Sequence, residues 1–247
     1  MVYFIIFIFG LCIGSFLNVC IYRIPQKQDI VKLPSHCMSC GRQLKWYELI
    51  PVFSFLALGG KCRTCKTKLS VQYPIIELLN GLLYVLVFCI FGMTPQSFIY
   101  CALTSVIIVI SVIDFRTYEI PLGCNIIILI LGIVQVFIDL PHMSQYVIGF
   151  FAVSIVLFLV WLISKGRAIG GGDIKLLAAG GLLLGWQNIV LAFLLGCILG
   201  AVIHLIRMKV SGADRRLAFG PYLSAGIFIA AMCGDNLIRM YMGYFGF

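Results

Sequence analysis

The chain has 247 residues, of which 62% are hydrophobic and only 11% charged, and its mean hydropathy is +1.09. Typical soluble domains carry about 25% charged residues, so this composition excludes a soluble protein and points to an all-α polytopic membrane protein. The net charge of +9 would suit nucleic acid or acidic lipid. In a multispanning chain its simpler source is the excess of Lys and Arg in cytoplasmic loops.

Apolar runs lie near residues 2–22, 74–92, 97–114, 120–139, 146–164, 174–187, 188–206 and 220–238. About 20 apolar residues cross the ~30 Å hydrocarbon core, so these runs predict about eight transmembrane helices in a lipid bilayer. The first, "VYFIIFIFGLCIGSFLNVCIY", has no basic stretch ahead of it and no A-x-A-like cleavage site, so it reads as a retained helix rather than a secretory signal. Only the polar patch at Trp186, Gln187 and Asn188 divides the sixth run from the seventh. With the N-terminus placed outside, every Lys and Arg except Arg239 falls on the cytoplasmic side. That asymmetry supports the span count and the orientation, and it accounts for the charge with no nucleic-acid partner. The expected organisation is a first helix over 1–22, a cytoplasmic module over 23–73, and membrane-embedded helices over 74–247.

Of the eleven cysteines, Cys12, Cys20, Cys89, Cys101, Cys124, Cys197 and Cys233 lie in or beside apolar runs, where cysteine acts as a small apolar residue. The other four form "CMSCGRQLKW" and "CRTCKTKLSV". These are two C-x-x-C pairs in an internal repeat of period 25, each with a nearby basic residue and a Leu four positions after its second Cys. Paired C-x-x-C units build a closed tetrahedral site, so Cys37, Cys40, Cys62 and Cys65 are the expected ligands of a structural zinc ion. The loop is too small and polar to bury a core and faces a reducing compartment that disfavours disulfides, so bound zinc is the expected source of its folding free energy. His36 reads as a solvated loop residue.

Ionisable residues in membrane helices are functional candidates. Asp139 and Asp235 fall at outer helix ends and Asp214 in a cytoplasmic loop, all three reading as solvated. Asp114, in "ISVIDFRTYEIP", and Asp173, in "GGGDIKLL", fall at the same cytoplasmic face and at similar depth. Two carboxylates a few ångströms apart do not easily both ionise, so such a pair both deprotonates a water and protonates a leaving group. This is the chemistry of an aspartic protease, which uses neither a metal nor an acyl-enzyme. Gly170, Gly171 and Gly172 predict backbone conformations that other residues avoid, or close passage of a bound peptide. The plainer alternative is a loop with Asp173 as the helix N-cap. Arg116 and Lys175, two residues beyond each Asp, read as interface anchors and then as electrostatic tuners. Two other classes fit parts of this pattern: a transporter with both Asp residues as ion sites, and a non-catalytic zinc scaffold.

Taken together, the residues resemble the type IV prepilin peptidases, membrane aspartic proteases of the GxGD kind, over nearly the whole chain. "GSFLNVCIYRIP", the paired C-x-x-C loop, "YPIIELLNG", the two Asp motifs and "AFGPYLSAG" occur in the family's order. Leu122 stands where the family often has Asp or Asn after the proline. The resemblance implies Asp114 and Asp173 as catalytic residues, and Gly170, Gly172 and Lys175, beside Asp173, are read from their position as substrate contacts. It implies removal of a short basic leader from prepilin-like or pseudopilin substrates at the cytoplasmic face of a bacterial inner membrane, in pilus assembly, secretion or DNA uptake. Many members with the cysteine loop also methylate the new amino terminus with S-adenosylmethionine. No residue is assigned to that cofactor, although Asn18, Arg23, Glu77 and Asn80 are polar residues near the loop.

Overall fold

All of the apolar runs fold as helices in the computed structural model, which describes residues 1–211 and 217–244. Among the described residues there is no β-strand. The helices are α1 (Val2–Arg23), α2 (Phe53–Ala57), α3 (Gln72–Phe91), α4 (Pro95–Thr117), α5 (Leu122–Ile138), α6 (Met143–Ala152), α7 (Ser154–Ile163), α8 (Gly171–Leu184), α9 (Trp186–Ser211) and α10 (Gly220–Tyr244). Six helical stretches are long and apolar enough to cross a membrane, one of them formed by α6 and α7 together with the 3₁₀ turn before them. Of the eight expected spans, α5 and α8 fall short. With 17 and 14 residues, they extend only about 26 and 21 Å at 1.5 Å per residue, against a core of ~30 Å. The protein is a multi-pass membrane protein. Asp214, Arg215 and Arg216 lie outside the described residues.

The chain divides into two compact units, Met1–Val109 and Ile110–Phe247. In the first, α1 packs along α3 through a small-residue seam. Gly10 and Gly14 are one helical turn apart, and a Cβ on either would sit 2.7 Å from the Cα of Gly81 or Glu77. Membrane helices lack a hydrophobic drive to associate in lipid, so close backbone approach over glycine supplies dispersion contact instead. Asn80, fully buried, extends the seam. Its amide donates to the Gly10 carbonyl at 2.7 Å, and its oxygen accepts from the Ser105 hydroxyl, 2.8 Å from the Tyr84 hydroxyl.

In the second unit α8 is the central helix, contacted by α5, α6, α7, α9 and α10. Leu176 and Leu177 are wholly enclosed and Leu183 nearly so. A helix apolar on every side belongs inside a bundle, away from lipid and water. Its short length and its burial fix the depth and direction of its first turn, which carries Asp173.

Candidate functional site

The cysteine module is built from one backbone loop used twice. In the first copy the Cys37 amide donates to the Arg42 carbonyl at 2.9 Å, and the Gly41 amide to the Cys37 carbonyl at 2.9 Å. Twenty-five positions on, Cys62 donates to Thr67 at 2.8 Å and Lys66 to Cys62 at 3.0 Å. The flanking bridges repeat with the same offset, His36 with Gln43 and Lys61 with Lys68. Each loop closes on one residue in the left-handed region, Gly41 at φ 69° and Lys66 at φ 57°.

This geometry brings all four thiols together, with every Sγ within 4.8 Å of the others. Cys37 and Cys65 have their sulfurs 3.8 Å apart, close to the ~3.8 Å edge of a tetrahedron with Zn–S bonds of about 2.3 Å. Hydrogen bonds from Thr67 push the Cys65 thiol down to about 6, favouring the thiolate that a metal requires. The donor set and its spacing therefore fit zinc. His36 is not in the cluster; its Nδ1 lies 3.2 Å from the Pro34 carbonyl. Glu48, which the sequence offers as a plain loop residue, has a side chain only 3% exposed and pairs with Arg42 at 2.7 Å. Arg42 and the Lys45 amide hold its carboxyl below the usual range, and the pair braces the first copy of the loop. Glu48 also accepts the Lys45 amide at 2.9 Å, but with Lys in place of Ser, Thr, Asp or Asn at the cap the sequence carries no capping-box signal for it.

Asp114 and Asp173 come from dissimilar surroundings within the second unit. Asp114 lies in the last turn of α4 and is 5% exposed. Its Oδ2 accepts the Gly220 amide at 2.8 Å, at the first residue of α10. A carboxylate at a helix N-terminus gains from the unpaired amides and the macrodipole there. A Cβ at Gly220 would fall 2.8 Å from the same oxygen, so the contact requires glycine at that position. Pro221 has no amide hydrogen, and Tyr222 and Leu223 both donate back to the Phe219 carbonyl. Gly220 is thus the donor left for Asp114. The Gly-Pro pair in "AFGPYLSAG" marks a helix start in the sequence, but nothing there indicates which carboxylate it receives.

Asp173 occupies the third position of α8, whose N-cap is Gly170. The N-cap role considered for Asp173 therefore belongs to Gly170, and Asp173 turns its carboxylate back to the Gly170 amide. The charge of Asp114 acts on Asp173, so the two carboxylates share one neighbourhood.

The triglycine departs from the expectation of unusual backbone. Gly170, Gly171 and Gly172 are absent from the positive-φ residues, and the latter two are helical. Close approach explains two of them instead. A Cβ at Gly170 would lie 3.1 Å from Asp173 Oδ2, and one at Gly172 would lie 3.0 Å from Ile120 Cβ, while one at Gly171 would meet open space. Ile120 arrives there because α4 ends in a tight turn at Tyr118, φ 57°. Asn125 on α5 donates to the Gly172 carbonyl at 3.4 Å. Lys175 is exposed.

Residues 101–205 match the type IV leader peptidase family, and residues 8–91 match the bacterial peptidase A24 N-terminal domain. The chain is 32% identical to the prepilin leader peptidase/N-methyltransferase of Pseudomonas putida, with 97% of this chain and 93% of that protein covered. The chain belongs to the type IV leader peptidase family. The prepilin leader peptidase/N-methyltransferases of Bacillus subtilis (strain 168) and Legionella pneumophila are 33% and 32% identical, covering 96% and 98% of this chain and 97% and 95% of their own. No solved structure matches the chain.

Proposed function

We propose that the protein is a membrane aspartic endopeptidase that removes the leader from prepilin-like or pseudopilin precursors and then methylates the new amino terminus. The observation that supports the peptidase half is that the charge of Asp114 acts on Asp173, each in a fixed backbone setting, in a member of this family. One carboxylate takes a proton from water as it attacks the scissile carbonyl, and the other, protonated, gives a proton to the developing gem-diol. Collapse of the gem-diol returns a proton to the leaving amine and resets the pair. Asp114 enters this cycle with Oδ2 engaged by the Gly220 amide. Gly170 and Gly172, whose missing side chains let Asp173 and Ile120 approach the first turn of α8, border the bound precursor together with Lys175.

Cys37, Cys40, Cys62 and Cys65 would hold zinc, which supplies folding free energy to the 23–73 segment and takes no part in proton transfer. That segment, both carboxylates and the inner loops face the cytoplasm, and the chain resides in a bacterial inner membrane, a placement that the charge asymmetry supports. S-adenosylmethionine is the methyl donor.

The test is incubation of the purified protein with a prepilin, with and without S-adenosylmethionine, followed by mass spectrometry of the new N-terminus. Cleavage in both samples and methylation only with the donor is the expected result. Asp114→Asn and Asp173→Asn should each lower cleavage by at least about 10³-fold while the protein still accumulates in the membrane. Undiminished cleavage by either variant overturns the assignment of the pair.

A further inference from the structure

The first unit contains a cavity of about 360 Å³, within the ~300–1,000 Å³ of small-molecule sites. Its floor is the cytoplasmic end of the α1–α3 pair, with Ser15, Asn18 and Glu77, and its roof is the cysteine module. The polar groups around the cavity differ sharply in how they are used. Arg23 is 5% exposed and spends its guanidinium on the carbonyls of Asp29, Ile30, Leu33 and Pro34. Asn18 donates to the Gly14 and Tyr73 carbonyls and accepts from Gln72. Arg42 is paired with Glu48.

Glu77 differs. It is 6% exposed, and among the described residues no cationic side chain pairs with it; its partners are the Val52 amide at 2.7 Å and the Ser15 hydroxyl. A buried carboxylate without a counter-charge is costly to keep, and here it lines a ligand-sized space. Two features show that the fold holds it there. Its Cα is clamped against Gly14, and the Val52 amide reaches it from φ 61°, ψ −51°, a conformation strained for a β-branched residue. Such strain persists where the surroundings over-determine it, and it clusters at ligand clamps.

The geometry points to this cavity as the site of S-adenosylmethionine, with Glu77 as the counter-ion of its sulfonium. The inference rests on the methyl-transfer reading above and adds to it a place and a residue. The ligand chemistry matches the walls. The cationic sulfur meets Glu77, the adenine has the rings of Phe55 and Tyr73, and the donor's own carboxylate has Lys68 and Arg63, the latter also donating to the Tyr47 hydroxyl at 3.0 Å. Of the polar residues noted near the loop, Asn80 does not belong to the site, since it is engaged with Gly10 and Ser105.

The test compares two ligands that differ in charge. Equilibrium dialysis of the zinc-loaded full chain against labelled S-adenosylmethionine and its neutral thioether, S-adenosylhomocysteine, separates recognition of charge from recognition of shape. Glu77→Gln should weaken binding of the sulfonium about tenfold and that of the thioether less than about twofold. Ser54→Trp, which fills the cavity from α2, should abolish binding of both. Unchanged zinc content certifies a folded module in each variant, and if Glu77→Gln loses zinc, Ser54→Trp decides. Wild-type affinity in a zinc-replete Ser54→Trp protein, or equal loss of both ligands in Glu77→Gln, overturns the placement and leaves methyl transfer intact. Absence of donor binding by the wild type, with an unmethylated product, overturns methyl transfer itself.

Discussion

In the cysteine module the four thiols are presented by two copies of the same loop, whose matching hydrogen bonds agree in length to about 0.1 Å. In the peptidase unit Asp114 sits at the end of α4 under the first amide of α10, while Asp173 sits in the first turn of α8 facing its own N-cap. The repeat suits the proposed role of placing four thiolates around one zinc ion. Unlike settings suit an acid and a base, whose roles must differ at any moment of the reaction. Damage should follow the same division, spreading through the whole module in one case and remaining local to one carboxylate in the other.

The largest effect should come from the metal. Cys37→Ser should reduce bound zinc to near zero and remove most of the module's folding free energy, given apparent zinc affinities of about 10–16 kcal/mol in small zinc domains. Zinc stoichiometry by elemental analysis and thiol reactivity of the remaining cysteines measure it. A stoichiometric zinc content in that variant would show that the four thiols are not one site.

Gly220→Ala comes next, because its Cβ would strike Asp114 Oδ2. Displacement of a reacting group by about 1 Å costs roughly 10²-fold in rate, so kcat for leader removal should fall by that order while zinc content stays full. Smaller again is the contrast within the triglycine. Gly172→Ala must push Ile120 aside and should destabilise by about 1–3 kcal/mol. Gly171→Ala meets open space and should be neutral or stabilise by up to about 1 kcal/mol, as helical Gly→Ala changes do. Thermal unfolding in detergent reads both, and equal penalties would remove the packing explanation of this motif.

The smallest effect compares the two loop copies. Gly41→Ala should weaken the module by about 1–2 kcal/mol through its left-handed backbone. Lys66→Gly, at the matching position, should change it by less than about 1 kcal/mol, since relief of strain is offset by greater freedom of the unfolded chain. Competition for zinc against a calibrated chelator resolves the pair.

What was legible in the sequence follows the range of the interactions. The helices, the repeat of the cysteine loop and the shared neighbourhood of Asp114 and Asp173 rest on composition, short spacings, charge asymmetry and motif order, all of which a linear chain displays. The close contacts are long-range. Nothing near Gly220 indicates that its amide meets a carboxylate 106 positions away, and nothing near Gly172 indicates the arrival of Ile120. The triglycine also invites a torsional reading, because glycine is known for its freedom, whereas these positions use its lack of a side chain. Glu77 is a lone acid in an apolar run, and only packing reveals that it has no cationic partner among the described residues and lines a cavity.

The single amide on Asp114 has one more effect. With Oδ2 accepting the Gly220 amide, the two oxygens of this carboxyl are no longer interchangeable. The tethered oxygen is the poorer base, so a proton taken up by Asp114 resides on Oδ1. A half-turn of the carboxyl about its own axis, which in solution scrambles the two, here breaks the bond to the helix start. In the proposed cycle the group therefore keeps one orientation, and a proton that it takes up returns to the same oxygen.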